Sequence, residues 1–198
     1  MVNKNKLGIT DEAQLQKKEE EITKRKTVEL FEKGMFAKYK AGTLDALLKL
    51  HKYLFDEIYD YAGKLRTVDI QDCVEASNLK QEAEKVNKMP QSNIEEIIQK
   101  FVFLSSLNPF LTGNGRVMRI WLDIIIRKEL AYTVAWSEID PESYMQAIEI
   151  APKSILDIKY LIENALSQEL EGREFYIKNL DASFALSGYK TYRTRLLG

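Results

Sequence analysis

Asn108-Pro-Phe-Leu-Thr-Gly-Asn-Gly-Arg-Val-Met-Arg119 reads as a corner between two helices. Upstream, Ile94, Ile97, Ile98, Phe101 and Leu104 recur at helical spacing. Pro109 then disfavours helical backbone in the residue before it. Ser92 and Glu95 offer a capping box for that first helix. Downstream, Val117, Ile120, Trp121, Ile124 and Ile125 restore the period, predicting a second helix from about 114 to 128. Between them Gly113 and Gly115 bracket Asn114. Such a turn presents backbone N–H groups at the positive end of a helix dipole, a natural seat for phosphate. Arg116 and Arg119, three residues apart, would stand on neighbouring positions of the first turns. Two guanidiniums beside an N–H nest point to a polyphosphate, against the blander reading of a corner with solvated arginines.

The rest of the chain is also helical. Leu44, Leu47, Leu48, His51, Leu54, Phe55, Ile58 and Ala62 form a core-facing stripe, with Thr43 to start it and Gly63 to end it. The only histidine, His51, falls on that stripe, where packing is its expected role. Residues 64–74 alternate weakly and read as an extended segment, and 75–88 read as helix. Three more helices are expected at about 139–150, 155–168 and 173–186. Ser137 with Asp140, and Ser154 with Asp157, are placed to cap the first two. Residues 11–33 are dominated by Glu, Lys, Gln and Arg, and predict an exposed helix touching the body through Val28, Leu30 and Phe31. The fold class is all-α, divided as a charged N-terminal helix over 1–34 and a main domain over 35–198 that includes a C-terminal helix at 173–188.

Composition narrows the function classes. A net charge of −1 gives no general attraction to nucleic acid or an anionic membrane. One cysteine, Cys73, excludes an internal disulfide, and no signal-like or membrane-spanning apolar run occurs, so a cytoplasmic location is expected. Homo-oligomerisation is left open, and the target protein is not specified.

The corner resembles the signature of the Fic family, His-x-Phe-x-(Asp/Glu)-Gly-Asn-(Gly/Ala)-Arg-x-x-Arg. Two further stretches are similar to that family: His51 to Thr67 (HKYLFDEIYDYAGKLRT), and Ser183-Phe-Ala-Leu-Ser187-Gly188, which resembles the C-terminal inhibitory motif Ser-x-x-x-Glu-Gly of the single-domain class. The resemblance implies a Fic-type helical bundle with a short extended flap near 64–74, and transfer of AMP from ATP to a protein hydroxyl. It implies nucleotide binding by Gly113, Asn114, Gly115, Arg116 and Arg119.

The departures fall on the chemistry. Asn108 stands at the position of the family histidine that takes the hydroxyl proton, and an amide has no proton acceptor near neutral pH. Thr112 stands at the position of the acid that holds Mg²⁺, and a hydroxyl is a poor ligand for a hard cation. Ser187 stands at the position of the inhibitory glutamate, so Arg119 is expected to be free. Residues 71–78 are more acidic than the family segment that aligns a target. Loss of a general base costs about 10²–10⁴ in rate. The expectation is therefore an impaired adenylyltransferase-like protein that binds ATP, with Mg²⁺ held weakly or not at all. The alternatives are an active enzyme using Asp69, Asp72 or Glu75 as a relocated base, and a non-catalytic interaction module.

Overall fold

The computed structural model describes residues 4–196; residues 1–3 and 197–198, the extreme ends of the two divisions expected above, lie outside it. The chain folds as α1 (Glu12–Glu32), α2 (Leu44–Phe55), α3 (Ala76–Glu84), α4 (Ile94–Leu107), α5 (Asn114–Leu130), β1 (Thr133–Val134), α6 (Pro141–Ile150), α7 (Leu156–Asn164), β2 (Leu166–Ser167) and α8 (Arg173–Ala185). The all-α reading holds. No described helix is long and apolar enough to cross a membrane.

α5 is the central rod. Residues 116–126 of it are all buried, and it packs against α2, α4 and α8. The α2 stripe meets it with Leu47, Leu50, Leu54 and Phe55 fully excluded from water, worth about 1.5–3 kcal/mol per side chain. Trp121 of α5 donates its indole N–H to the Thr43 carbonyl at 3.0 Å, tying the rod to the start of α2.

Several elements differ from their expected form. α2 stops at Phe55, seven residues before Ala62, and continues as turns up to Gly63. The chain reverses there because Gly63 sits at φ +76 and its N–H is taken by His51 Nδ1 at 2.9 Å. α4 is capped one residue later than expected. Asn93 accepts the Glu96 N–H at 3.0 Å, and the Glu96 carboxylate accepts the Ser92 N–H at 2.6 Å. α7 ends at Asn164 because residues 166–167 pair antiparallel with 133–134, the one strand ladder among the described residues. Asp123 of α5 fixes that ladder by accepting the Val134 N–H and the Thr133 hydroxyl, each at 2.9 Å. The 64–74 segment, expected to be extended, forms no strand and runs as irregular chain and turns.

The largest correction concerns α1, expected to be a solvated charged helix. Leu15, Glu19, Ile22 and Leu30 lie on its inner face, all buried, together with Glu20, Lys24 and Lys26. Each of those charges has a partner from elsewhere. Lys26 reaches the Tyr53 carbonyl at 2.7 Å and Glu57 at 3.1 Å. Glu20 accepts the N–H groups of Thr191 and Tyr192, each at 3.0 Å. Lys24 bonds Asp181 at 2.9 Å and the Tyr192 carbonyl at 2.5 Å. α1 is thus a rail that holds the C-terminal segment against the body.

Candidate functional site

The corner is built by side chains on both of its flanks. α4 ends with Asn108 in the left-handed region at φ +48, a conformation asparagine tolerates better than most residues. The last carbonyls of α4 have no intrahelical donor. Arg66 supplies one: its Nε donates to Asn108 at 3.0 Å and its Nη2 to Leu107 at 3.3 Å, while other guanidinium donors hold the carbonyls of Val68 and Val74. One buried guanidinium therefore fixes both the position of Asn108 and the root of the 64–75 segment.

His51 holds the middle of the loop. Its Nδ1 accepts from Gly63, so the proton sits on Nε2, which donates to the Thr112 carbonyl at 3.1 Å. The ring stacks on Phe110 with centroids 3.8 Å apart. Burial pushes its pKa down to about 4, so it is neutral and structural, as the apolar stripe implied. Asn114 closes the loop with a two-way clamp, accepting from the Phe110 N–H at 2.9 Å and donating to the Phe110 carbonyl at 2.8 Å. Gly113, at φ +76, packs on the Phe55 ring, which any Cβ there would overlap. The N–H groups of Gly113, Asn114 and Gly115 then open α5 as first-turn donors with no intrahelical acceptor.

The two signature-like arginines are held by different elements. At 100° per residue they stand 60° apart around α5, and each meets a different element. Arg116 is buried and faces α1 and the chain after α8. Its Nη2 donates to Glu19 at 2.5 Å and to the Tyr189 hydroxyl at 3.1 Å, and the guanidinium lies 4.0 Å from the centre of the Tyr189 ring. Tyr189 also donates to Glu19 at 2.6 Å. Burial alone would raise the Glu19 pKa, but Arg116 and the two tyrosine hydroxyls of Tyr189 and Tyr59 outweigh it and hold the carboxyl below its usual range. Tyr189 reaches this position because Gly188, at φ +83, ends α8 with the paired bonds Tyr189 N–H to Phe184 and Gly188 N–H to Ala185, the Schellman arrangement.

Arg119 was expected to be free, and it is not. Nε donates to the Ser183 hydroxyl at 2.9 Å, and Nη2 donates to the Ser183 carbonyl and the Ser187 hydroxyl, each at 2.6 Å. A neutral hydroxyl accepts from a guanidinium more weakly than a carboxylate does, yet it still engages Arg119 here. The difference is charge: no carboxylate pairs with Arg119 among the described residues, and burial pulls its pKa below the usual value. Gly115 allows this close approach, because a Cβ there would stand 3.0 Å from both Arg119 Nη1 and Ser187 Oγ.

A cavity of about 280 Å³ opens beside these groups, lined by Asn108, Asn114, Gly115, Arg119, Tyr144 and Ser187 among others. Ligand clefts start near 300 Å³, so with α8 in place the space suits part of a nucleotide. Thr112, Gly113 and Arg116 are not on its wall. The acids considered as relocated bases are not on its wall either, and Asp69 is committed to capping α3 through the Ala76 N–H at 2.7 Å. Among the described residues no three His, Cys, Asp or Glu side chains cluster as a metal site. No carboxylate is on the wall of this cavity, so its donors suit a phosphate better than a hard divalent cation. Glu19, Tyr189 and Arg66 were not singled out from the sequence. Each acts across a long separation in the chain, and no local pattern marks it.

Residues 41–126 match the Fic/DOC family model. The protein adenylyltransferase VbhT of Bartonella schoenbuchensis is 29% identical over 160 residues, which cover 72% of this chain and 32% of that protein. The chain thus spans about a third of VbhT. The probable protein adenylyltransferase Fic of Salmonella typhimurium is 26% identical over 188 residues, 86% of this chain and 90% of that one. Among solved structures, the BepC protein of Bartonella tribocorum with bound AMPPNP superposes with a TM-score of 0.68 at 20% identity, covering 84% of this chain and 93% of that one. The N-terminal Fic domain of a Bartonella quintana effector with bound ADP gives 0.68 at 22%, covering 84% and 91%.

Proposed function

We propose that this chain, which matches the Fic/DOC family model over residues 41–126, binds a nucleotide at the 113–119 corner without efficient AMP transfer. The observation that carries the reading is Arg119. A buried guanidinium with only hydroxyl and carbonyl acceptors is an uncompensated charge, and it borders a cavity beside an open helix N-terminus. An anionic phosphate arriving there gains charge-assisted bonds of about 1.5–3 kcal/mol each and competes with the neutral acceptors of Ser183 and Ser187. Gly113, Asn114 and Gly115 offer their N–H groups. Arg116 joins only if Glu19 and Tyr189 let it go.

Transfer requires a group that takes the proton of the attacking hydroxyl as pyrophosphate leaves the α-phosphorus. Asn108 lines the cavity at that place and has no basic atom. Without a carboxylate on the cavity wall, Mg²⁺ has no protein ligand there, which costs several kcal/mol of charge stabilisation in the transition state. An active enzyme with a relocated base is the weaker reading, because Asp69 is already bonded and none of the three candidate acids lines the cavity.

Calorimetric titration of ATP tests this, with and without Mg²⁺, on the wild type, Arg119→Ala and Ser187→Glu. Weak binding with little Mg²⁺ dependence is expected. Arg119→Ala should weaken it by about tenfold or more. Ser187→Glu keeps the arginine and neutralises it, so it should weaken ATP binding while leaving the fold intact. ATP affinity unchanged in both variants would remove Arg119 from the site.

A further inference from the structure

The largest cavity among those described lies away from the corner. It holds about 570 Å³ and is lined by Phe36, Tyr39, Lys40, Ile124, Arg127 and Lys128 among others. Arg127 is thirteen residues beyond Asn114 on α5, roughly 20 Å along the helix at 1.5 Å per residue. No residue is common to the two cavities.

Its walls have two characters. Phe36, Tyr39 and Ile124 give the cleft an apolar side. Around it stand three cations: Arg127, ion-paired with Asp123 at 3.8 Å, and Lys40 and Lys128, for which no acid partner is found among the described residues. Lys40 and Lys128 are exposed, and neither ammonium meets a carboxylate or another acceptor among the described residues. Arg127 spends Nη1 on the Leu170 carbonyl and Nη2 on the Thr133 hydroxyl, each at 3.0 Å. Its Nε is buried with no hydrogen-bond acceptor, and the nearest carboxylate oxygen, on Asp123, is 3.8 Å away. The one acid on the wall, Glu129, is held by the Gln91 amide at 2.8 Å. Gln91 in turn accepts from Lys100, a buried lysine that adds a fourth positive charge behind the wall. Cations in the last turn of α5 offset the helix dipole, but that role does not call for the apolar cleft, for Lys40 on a different segment, or for the orphaned Nε.

We propose that this cleft binds a planar aromatic anion, with the ring against Phe36, Tyr39 and Ile124 and its carboxylate or phosphate among Arg127, Lys40 and Lys128. The guanidinium already lies 5.4 Å from the Phe36 ring centre, so it can face an acidic group while the ring of the ligand lies on the aromatic wall.

The test is a titration of the ¹⁵N-labelled chain with 2-naphthoate, followed by amide chemical shifts. 2-Naphthalenemethanol serves as the uncharged ring and acetate as the ringless anion. Shifts confined to residues 36–41, 91 and 124–129 are expected, with naphthoate binding about fivefold or more tightly than either control and losing affinity as salt rises. The Lys40→Ala/Lys128→Ala variant alters two exposed side chains only, so it should stay folded and bind naphthoate about fivefold more weakly. The proposal is overturned if naphthoate does not bind at millimolar concentration, binds no better than the alcohol, binds the double variant equally, or shifts the 108–119 corner instead.

Discussion

Replacing Glu19 with alanine should destabilise the protein far more than its place in a charge-rich helix would imply. Glu19 is 2% exposed and carries the charge opposite Arg116, itself 2% exposed. Removing one member of a buried ion pair costs about 3–5 kcal/mol, because the other charge stays desolvated. Arg116 would keep the Tyr189 hydroxyl and the face of its ring, which places the loss at the low end, about 3 kcal/mol. For a chain of this size each kcal/mol shifts Tm by about 2–4 °C, so the midpoint should fall by about 6–12 °C. The effect should also depend on pH. The folded carboxyl is held below its usual 4.5, so its stabilisation is complete above that value and is lost as pH falls through the depressed folded pKa. The gap between wild type and variant should be constant from pH 8 to 5 and narrow below about 4.5. Thermal unfolding followed by circular dichroism across that range measures both. A variant melting within a degree of the wild type at pH 7 would refute the buried pair and the role of α1 as a rail.

Other outcomes follow from the same contacts. The folded pKa of His51 is about 4 against 6.5 for the free group, so the unfolded chain binds the extra proton first. Stability should decline by about 3 kcal/mol as pH drops from 6.5 to 4, and the imidazole resonances should stay flat between pH 8 and 5. Gly113→Ala combines a left-handed backbone with an overlap on Phe55 and should cost more than about 1 kcal/mol in urea unfolding. Asn108→His combined with Thr112→Glu should leave Tm within a few degrees of the wild type, since neither position is in the core and histidine also tolerates the left-handed region that Asn108 occupies.

The corner was legible because everything that makes it is local. A helical stripe from Ile94, a proline, two glycines and a renewed stripe from Val117 leave few other readings, and α4 and α5 lie where that pattern puts them. His51 was legible for the same reason: an apolar stripe predicts a packed ring. What failed was whatever depended on distant partners. Glu19 meets Arg116 across 97 residues and Glu20 meets Tyr192 across 172, so a run of Glu and Lys read as solvated surface although Glu19, Glu20, Lys24 and Lys26 in it are buried. Ser187 was judged by charge alone, and a hydroxyl placed 2.6 Å from a guanidinium still binds it. The β1–β2 ladder is two residues long on each side, too short for alternation to register. α7 was read through it because nothing in 155–168 marks Asn164 as an end.

Incorporation of label from α-phosphate-labelled ATP into the protein itself bears most directly on the account, run side by side on the wild-type chain and on Asn108→His/Thr112→Glu. The wild type should incorporate none above background in the presence of Mg²⁺. The double variant, with an imidazole and a carboxylate returned to the corner, should label itself, and more weakly once Ser187→Glu is added to engage Arg119. Labelling of the wild type at the rate of the double variant would contradict the account, because the chain would then carry out transfer without the base and acid that Asn108 and Thr112 replace.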